Sequence, residues 1–210
     1  MTPCDSFPLK ESLPKMSSLL CIFVLVAVFI SHRGATTEAA VEPVTDIYGQ
    51  RLRTGTKYYI LPVFRGRGGG LTMSKAENKT CPRSVIQERF EVSNGLPLTF
   101  SPSDKSKVIR VSTDLNFKFS ATSIWNLDNV DEKTNQWFIG TCGVEGNPGR
   151  TTVGNWFKID KYEDHYKIVF CPSVCDICKV MCRDVGVFVQ DGIRRLVLSD
   201  VPLKVMFKRA

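Results

Sequence analysis

The chain has 210 residues, a length that fits one domain or at most two small ones. Hydrophobic residues make up 43% and charged residues 23%, values that are ordinary for a folded globular protein and exclude a disordered, collagen-like or multi-span membrane chain. The formal net charge is +7, and it does not change if residues 1–40 are removed, because that segment carries equal numbers of acidic and basic residues.

The N-terminal segment has the features of an export signal. Lys10 and Lys15 precede an apolar run from Leu19 to Ile30, and small residues follow it. This order is typical of a signal peptide, and the run is shorter than the about 20 residues of a membrane span. We expect residues 1–40 to form a signal peptide region that is cleaved between Ala35 and Ala40, with an uncleaved anchor as the alternative. The mature protein, residues 41–210, is then secreted to the extracellular space or the vacuole and carries no membrane segment.

Short apolar stretches alternate with turn residues from Val44 to the C-terminus, and no helical period competes with them. The predicted strands are Lys57–Val63, Ser84–Val92, Val108–Ser112, Asn116–Ala121, Ser123–Leu127, Gln136–Thr141, Asn155–Asp160, Tyr166–Cys171, Val185–Val189, Arg195–Ser199 and Leu203–Phe207. Around a dozen short strands at regular spacing predict an all-β sandwich or barrel. The candidates that begin near Tyr58, Val108 and Tyr166 lie roughly fifty residues apart, a spacing that three four-stranded units of a β-trefoil would produce.

Six cysteines follow residue 40, and four of them form a tight cluster. The cluster has the spacing C-x3-C-x2-C-x3-C and consists of Cys171, Cys175, Cys178 and Cys182. In a reduced compartment this spacing would suggest a structural zinc site, but in an exported chain an even set of cysteines predicts disulfides. A nested arrangement, the first with the last around the middle two, would close one hairpin loop. We expect no bound metal and no other cofactor.

The sequence offers no convincing catalytic set. His165 is the only histidine after the signal region, so neither a Ser-His-Asp nor a Cys-His arrangement is indicated. The carboxylate pairs Asp131-Glu132 and Glu163-Asp164 lie in polar, turn-like stretches where solvent exposure is the simpler interpretation. We therefore predict that the chain is not an enzyme.

The distribution of basic residues and a glycosylation sequon indicate what the protein surface can bind or carry. Basic residues are spread along the sequence rather than gathered on one helix or interleaved with stacking aromatic residues, a pattern that argues against nucleic-acid binding. A solvated basic surface is the simplest interpretation, and an acidic partner or a cell-wall polyanion is the alternative. Asn78 begins an Asn-Lys-Thr sequon and is the predicted glycosylation site.

Several motifs together resemble one protein family. They are VTDIYGQRL at 44–52, YYI at 58–60, CP at 81–82, WFKI at 156–159, YKIVFCP at 166–172, DVG at 184–186 and RRLVLS at 194–199. This set is similar to the plant Kunitz-type trypsin inhibitors, the soybean trypsin inhibitor family, and residues 52–56, 68–72 and 146–149 resemble its miraculin-like members in particular. The likeness covers residues 44–208. It implies a disulfide-stapled β-trefoil of about twelve strands in three pseudo-repeats and a secreted inhibitor of trypsin-like serine endopeptidases.

The resemblance also implies a reactive loop. Family inhibitors offer the protease an exposed loop that is already shaped like a bound substrate, and a rigid loop lowers the ordering cost of binding. The matching segment is Ser101–Lys107. Lys105 is then the side chain for a trypsin-like pocket, where a buried Asp favours Lys or Arg, with Ser106 on the other side of the scissile bond and Lys107 as the alternative. Thr54 stands where the family has a loop-supporting Asn, and we expect its shorter side chain, which lacks an amide donor, to give weaker support.

The last two cysteines depart from the family pattern. The family's first disulfide joins the cysteine matched by Cys81 to one just before the strand that holds Trp125, where this chain has no cysteine. Elimination pairs Cys81 with Cys142, which would reach it from a neighbouring strand. The alternatives are that both thiols are free or that they bond to a second copy, so the protein is expected to be a monomer or a disulfide-linked dimer. The alternative function is that of a non-inhibitory miraculin-like defence or stress protein that binds another protein or a carbohydrate.

Overall fold

The computed structural model of the protein describes residues 41–74 and 83–210. The predicted signal peptide region, the sequon at Asn78 and the cysteine at position 81 lie outside these ranges. Within the two described ranges, no helix has both the length and the apolar character that a membrane span requires.

Strands dominate the described chain, as predicted. They are β1 Tyr58–Pro62, β2 Leu71–Met73, β3 Val85–Gln87, β4 Thr99–Pro102, β5 Leu115–Ser120, β6 Ser123–Asp131, β7 Gln136–Gly143, β8 Lys158–Tyr162, β9 His165–Phe170, β10 Arg183–Gln190, β11 Ile193–Ser199 and β12 Val205–Arg209. A 3₁₀ segment, Arg150–Asn155, precedes β8.

Six of the strands close into a barrel. β1 pairs with β12, β4 with β5, β8 with β9 and β9 with β12, all antiparallel. Two isolated bridges complete the ring, Tyr58 with Leu98 between β1 and the start of β4, and Leu115 with Phe157 between β5 and the start of β8. Closure of this kind removes the free edges that a sheet would otherwise expose.

The other six strands form three hairpins that cap one end of the barrel. The hairpins are β2–β3, β6–β7 and β10–β11. They also join one another, because β11 pairs with both β3 and β7 and a bridge links Ser84 to Gly140. Three four-stranded units, β1–β4, β5–β8 and β9–β12, therefore build a β-trefoil, which confirms the predicted fold class.

Aromatic side chains fill the barrel. Phe100, Phe117, Phe157 and Phe207 come from four barrel strands or their ends, and each is fully buried. The ring of Phe117 lies edge-on to Phe100 at 4.9 Å between centroids and stacks on Trp125 at 4.8 Å. Such pairs add to the free energy gained from burying the rings themselves. The phenylalanine-rich strands of the sequence are thus the inner wall of the barrel.

The first hairpin differs from its prediction. The predicted strand Ser84–Val92 ends at Gln87, and β2 was not predicted. Residues 88–94 instead fold over the buried glycines 68–70, with Gly69 N donating to the Glu88 carbonyl oxygen at 2.7 Å. A Cβ at Gly69 would lie 2.3 Å from the carbonyl oxygen of Phe90, so the backbones can approach this closely only without a side chain.

The predicted strand Val108–Ser112 was wrong as a strand. Only isolated bridges form there, Val108 with Arg53 and Arg110 with Pro43. Ser112 has a φ of 54°, in the left-handed region, which ends any extended run. The middle repeat consequently begins at Leu115 rather than at Val108.

Candidate functional site

The predicted reactive segment leaves the barrel directly after β4. Residues 103–107, here called the Lys105 loop, connect Pro102 at the end of β4 to the bridge between Val108 and Arg53. Pro102 is buried, whereas Lys105 and Lys107 are exposed. Both predicted lysines are therefore accessible on a loop whose two ends are fixed to the barrel.

Short-range hydrogen bonds shape the tip of this loop. Lys105 N donates to the Pro102 carbonyl oxygen at 3.1 Å, and Ser106 N donates to Asp104 Oδ1 at 2.9 Å. The hydroxyl of Ser106 donates to the carbonyl oxygen of Val108 at 2.9 Å. Between these bonds Lys105 has a φ of 57°, in the left-handed region that residues other than glycine seldom adopt. The tip is thus a tight turn and not an extended strand.

Thr54 supports the loop from the neighbouring turn. Its hydroxyl donates to the carbonyl oxygen of Ser106 at 2.8 Å, and its backbone N–H donates to the carbonyl oxygen of Lys107 at 3.2 Å. Threonine at this position therefore reaches the loop although it lacks the amide of asparagine. The carbonyl oxygen of Lys105 accepts no hydrogen bond within the described ranges of the chain.

The base of the loop is bonded to the backbone of Asp114, a residue that was not predicted and whose carboxylate is buried. Ser103 N donates to the backbone carbonyl oxygen of Asp114 at 2.9 Å, and the side chain of Asp114 is only 6% exposed. Both carboxylate oxygens of Asp114 accept the backbone N–H of Ser173, and one accepts its hydroxyl at 2.6 Å. Lys158 Nζ lies 3.7 Å from the same carboxylate. No local sequence pattern marks Asp114, because its partners lie far along the chain.

The cysteine cluster forms two nested disulfides. The outer disulfide joins Cys171 to Cys182, and the inner disulfide joins Cys175 to Cys178. Cys142 is also disulfide-bonded. Cys81 lies outside the described residues, so its pairing with Cys142 stays a prediction. Within the described residues, no group of three or more His, Cys, Asp or Glu side chains is placed to hold a metal ion.

A cluster of ionisable side chains lies at the β8–β9 turn. Lys204 is 7% exposed, and its ammonium group donates to Glu163 and Asp164, each at 2.6 Å. Asp164 also lies 2.8 Å from Nδ1 of His165. The Lys204 ammonium first, and His165 second, hold the pKa of Asp164 well below its usual range, and the two carboxylates raise the pKa of Lys204. The cluster joins the β8–β9 turn to the segment before β12 and contains no nucleophile.

The pKa of a second carboxylate, that of Asp128, is shifted in the opposite direction. Desolvation of Asp128 raises its pKa, although a hydrogen bond from Asn126 and the charge of Arg195 act against this. Desolvation likewise lowers the pKa of Arg195, whose guanidinium lies over the ring of Phe138. These groups lie on the hairpin cap, away from the Lys105 loop.

A closed six-stranded barrel and three capping hairpins define a β-trefoil, and an exposed loop is held at both ends on this scaffold. Residues 44–209 match the legume Kunitz family, described as trypsin and protease inhibitors. The chain belongs to this family, whose members are protease inhibitors and not enzymes.

Two relatives show how near the chain stands to named members of the family. It is 75% identical over 195 residues to Kunitz trypsin inhibitor 5 of Arabidopsis thaliana, which covers 93% of this chain and 100% of the relative. It is 45% identical over 216 residues to miraculin of Synsepalum dulcificum, which covers 96% of this chain and 98% of the relative. The resemblance seen in the sequence motifs is thereby confirmed.

A solved structure shares the fold. The Kunitz-type cysteine protease inhibitor PCPI-3 from potato superposes with a TM-score of 0.71 at 30% identity, covering 81% of this chain and 98% of that one. Relatives named for trypsin and for cysteine proteases thus share this scaffold. The comparisons therefore support protease inhibition in general and do not fix the class of protease.

Proposed function

We propose that the protein is a secreted inhibitor of trypsin-like serine endopeptidases that presents the Lys105 loop to the protease in the manner of a substrate. The observation that carries the proposal is the arrangement of carbonyl groups in the loop. The oxygens of Ser106 and Lys107 are held by Thr54, whereas the oxygen of Lys105 is unengaged within the described chain. A serine protease must receive the scissile carbonyl oxygen in its oxyanion hole, so that oxygen has to be accessible.

This arrangement favours Lys105 over Lys107. The carbonyl oxygen of Lys107 already accepts the backbone N–H of Thr54 at 3.2 Å, and a protease would have to break that bond. The carbonyl on the far side of the Lys105–Ser106 bond is held from behind by the Thr54 hydroxyl. Support of this kind keeps the segment after the scissile bond in place and opposes release of the cleaved product.

The left-handed backbone of Lys105 is the feature that binding has to change. A peptide bound as a substrate strand is extended, whereas Lys105 has a φ of 57°. The change relieves about 1–2 kcal/mol of left-handed strain. It also disrupts the bonds from Lys105 N to Pro102 and from Ser106 N to Asp104, each contributing about 0.5–1.5 kcal/mol. Because gain and loss nearly offset each other, the turn is compatible with inhibition.

Titration of bovine trypsin with the mature protein tests the proposal. We expect tight inhibition by the wild type and a loss of about thirtyfold or more in Lys105→Asn, because a lysine that fills the specificity pocket is a binding hot spot. Asparagine tolerates the left-handed region, so this variant keeps the loop conformation. Lys107→Gln removes the same charge two residues away and is expected to change the inhibition constant by less than about threefold.

The same assay separates the alternatives. Equal inhibition by Lys105→Asn and the wild type would refute the assignment of Lys105, and a selective loss in Lys107→Gln would move the scissile bond to that residue. A parallel titration of papain tests the protease class. Inhibition of papain, unchanged in Lys105→Asn and without inhibition of trypsin, would assign the protein to cysteine proteases through another surface.

Secretion is part of the proposal. The two nested disulfides suit an oxidising compartment, and the N-terminal sequence has the pattern of a cleavable signal. Expression of the full chain in plant cells, followed by N-terminal sequencing of protein from the apoplast and from vacuoles, tests it. We expect a mature N-terminus between residues 36 and 41, and a cytosolic protein that still begins at Met1 would contradict secretion.

A further inference from the structure

A cleft rich in arginine lies beside the Lys105 loop, outside the contacts assigned to protease binding. Its volume is about 680 Å³. Six of the residues that line it are Tyr48, Gln50, Arg51, Arg53, Thr56 and Arg209, and we call it the arginine cleft. The volume falls within the range of about 300–1,000 Å³ that small-molecule sites occupy.

The barrel closure brings the three arginines together. Arg51 and Arg53 lie on the segment before β1, where Arg51 bridges Thr45 and Arg53 bridges Val108. Arg209 is at the end of β12, opposite Tyr58 in the β1–β12 ladder. Residues from the two ends of the described domain therefore share one cleft.

The guanidinium groups of the cleft have no anionic partner in the described chain. All three arginines are exposed, and none takes part in the ion pairs formed by the described residues. Asp46 is the one acidic residue that lines the cleft, and its Oδ1 accepts the backbone N–H groups of Tyr48 and Gln50, each at 2.9 Å. Three positive charges against one negative charge leave the cleft cationic.

The hydrogen bonds accepted by Asp46 also hold the backbone that carries Tyr48, whose aromatic ring lines the cleft. The Asp46 carboxylate and the bond from Gly49 N to the Asp46 carbonyl oxygen hold the Tyr48–Gln50 turn. Tyr48 is 70% exposed although its backbone is held on both sides, so its ring is offered to solvent from a rigid support. A flat aromatic face of this kind can stack on the apolar face of a sugar ring.

We propose that the arginine cleft binds an acidic oligosaccharide, with carboxylate or sulfate groups paired to Arg51 and Arg209 and one sugar ring stacked on Tyr48. Guanidinium groups suit carboxylate and sulfate oxygens because their planar donors can bind two oxygens at once. The polar lining, which adds Gln50 and Thr56, matches a ligand rich in hydroxyl groups and is unsuited to an apolar one. The concave shape suits a chain of sugars better than the flat surface of a protein partner.

The test measures binding to a pentamer of α-1,4-linked galacturonic acid by calorimetry and by amide chemical shifts. We expect saturable binding that weakens as salt is raised, with shift changes concentrated at Tyr48–Arg53. The double variant Arg51→Gln/Arg209→Gln is expected to bind about tenfold more weakly or worse, and Tyr48→Ala is expected to lose affinity while keeping the salt dependence. Both variants should keep the wild-type melting temperature within about 2 °C.

A matched control removes two positive charges elsewhere. Lys133 and Arg150 are exposed and are not among the residues that line the cleft, and neither forms an ion pair within the described residues. The variant Lys133→Gln/Arg150→Gln should bind the pentamer within about twofold of the wild type. Equal losses in the two double variants would mean non-specific attraction to a basic protein and would overturn the proposal.

Two further ligands test which chemical group of the oligosaccharide the cleft recognises. Maltopentaose, a neutral chain of the same length, should not bind measurably, and a sulfated pentasaccharide distinguishes sulfate from carboxylate as the preferred group. Equal binding of the neutral chain, or no binding of either acidic chain to the wild type, would refute the site. A slower association with trypsin in Arg51→Gln/Arg209→Gln, without any loss of oligosaccharide binding, would assign the arginines to the protease instead.

Discussion

The bond from the Thr54 hydroxyl to the carbonyl oxygen of Ser106 offers a sharp test of how the loop is held. Thr54→Val removes the hydroxyl and keeps the size and branching of the side chain. The backbone N–H of Thr54 still reaches the carbonyl oxygen of Lys107, so the variant deletes one of two supports. The fold should be unaffected, because Thr54 is exposed and does not contribute to the core.

The expected loss of inhibition in Thr54→Val follows from the strength of this hydrogen bond and its exposure to solvent. A neutral hydrogen bond contributes about 0.5–1.5 kcal/mol, and an exposed acceptor such as the Ser106 carbonyl oxygen can bind water once the hydroxyl is lost. We expect a cost of about 1 kcal/mol in the ordered loop, and hence a trypsin inhibition constant about fivefold weaker. Because the segment after the scissile bond is less firmly held, the loop should also be hydrolysed faster during incubation with trypsin.

The assay is steady-state inhibition of trypsin with a chromogenic substrate, joined to mass spectrometry of the Lys105–Ser106 bond over several hours. Thr54→Ser is the matched control, since it keeps the hydroxyl and should stay within about twofold of the wild type. If Thr54→Val and Thr54→Ser inhibit equally and are cleaved at the same rate, the hydroxyl does not support the loop. A loss in Thr54→Val well above tenfold would instead mean that the whole loop has rearranged.

Other predictions concern the scaffold. In denaturant melts, replacing the outer disulfide by two alanines should lower the unfolding free energy by about 3 kcal/mol, and replacing the inner disulfide should lower it by about 2 kcal/mol. The outer disulfide matters more because it closes the longer loop. Equal losses would contradict this account. Gly69→Ala should cost about 1–3 kcal/mol, since its Cβ would meet backbone oxygens. Gly154→Ala, where the nearest atom is 3.8 Å away, should be nearly neutral in the same melts. Asp164→Asn should be less stable than the wild type near pH 6, because the lowered pKa of Asp164 stabilises the folded state above about pH 4. The difference in stability between the wild type and Asp164→Asn should shrink as the pH falls further below about 4. A difference that stays constant over this range would contradict the assignment to Asp164.

The architecture was predictable from the sequence because its signals are local. Strand alternation, turn residues and the cysteine spacing each need only a few neighbouring residues to be recognised. They predict a sandwich or barrel and, in an exported chain, disulfides, and the family resemblance then narrows the fold to a β-trefoil. The first hairpin was less predictable. Glycines 68–70 have the composition of an exposed turn, but they are buried because residues 88–94 fold over them. Only the tertiary contact distinguishes the two uses of the same residues.

The candidate site was predictable only in part, again because some of its features depend on contacts between residues that are distant in the sequence. Lys105, Lys107 and Thr54 were found through the family resemblance, which assigns roles by position. The left-handed φ of Lys105 has no sequence signal, since lysine is not a residue that favours this region. The arginine cleft was missed as well, because Arg51 and Arg209 stand at opposite ends of the domain sequence and meet only when β12 closes against β1.

The segment closed by the outer disulfide, residues 171–182 and here called the cysteine loop, is far from the Lys105 loop in the sequence, but both contact one buried residue. Asp114 accepts Ser103 N through its backbone oxygen and holds Ser173, two residues after the outer disulfide begins, through its carboxylate. Ser173 supplies two donors to that carboxylate, and these hydrogen bonds persist only while the cysteine loop stays in place, whereas Lys158, 3.7 Å away, lies on β8. Releasing the loop would leave a buried carboxylate short of donors directly beneath the base of the Lys105 loop, and such a group is costly. We therefore expect the disulfides to stabilise the base of the Lys105 loop as well as the segment that they close.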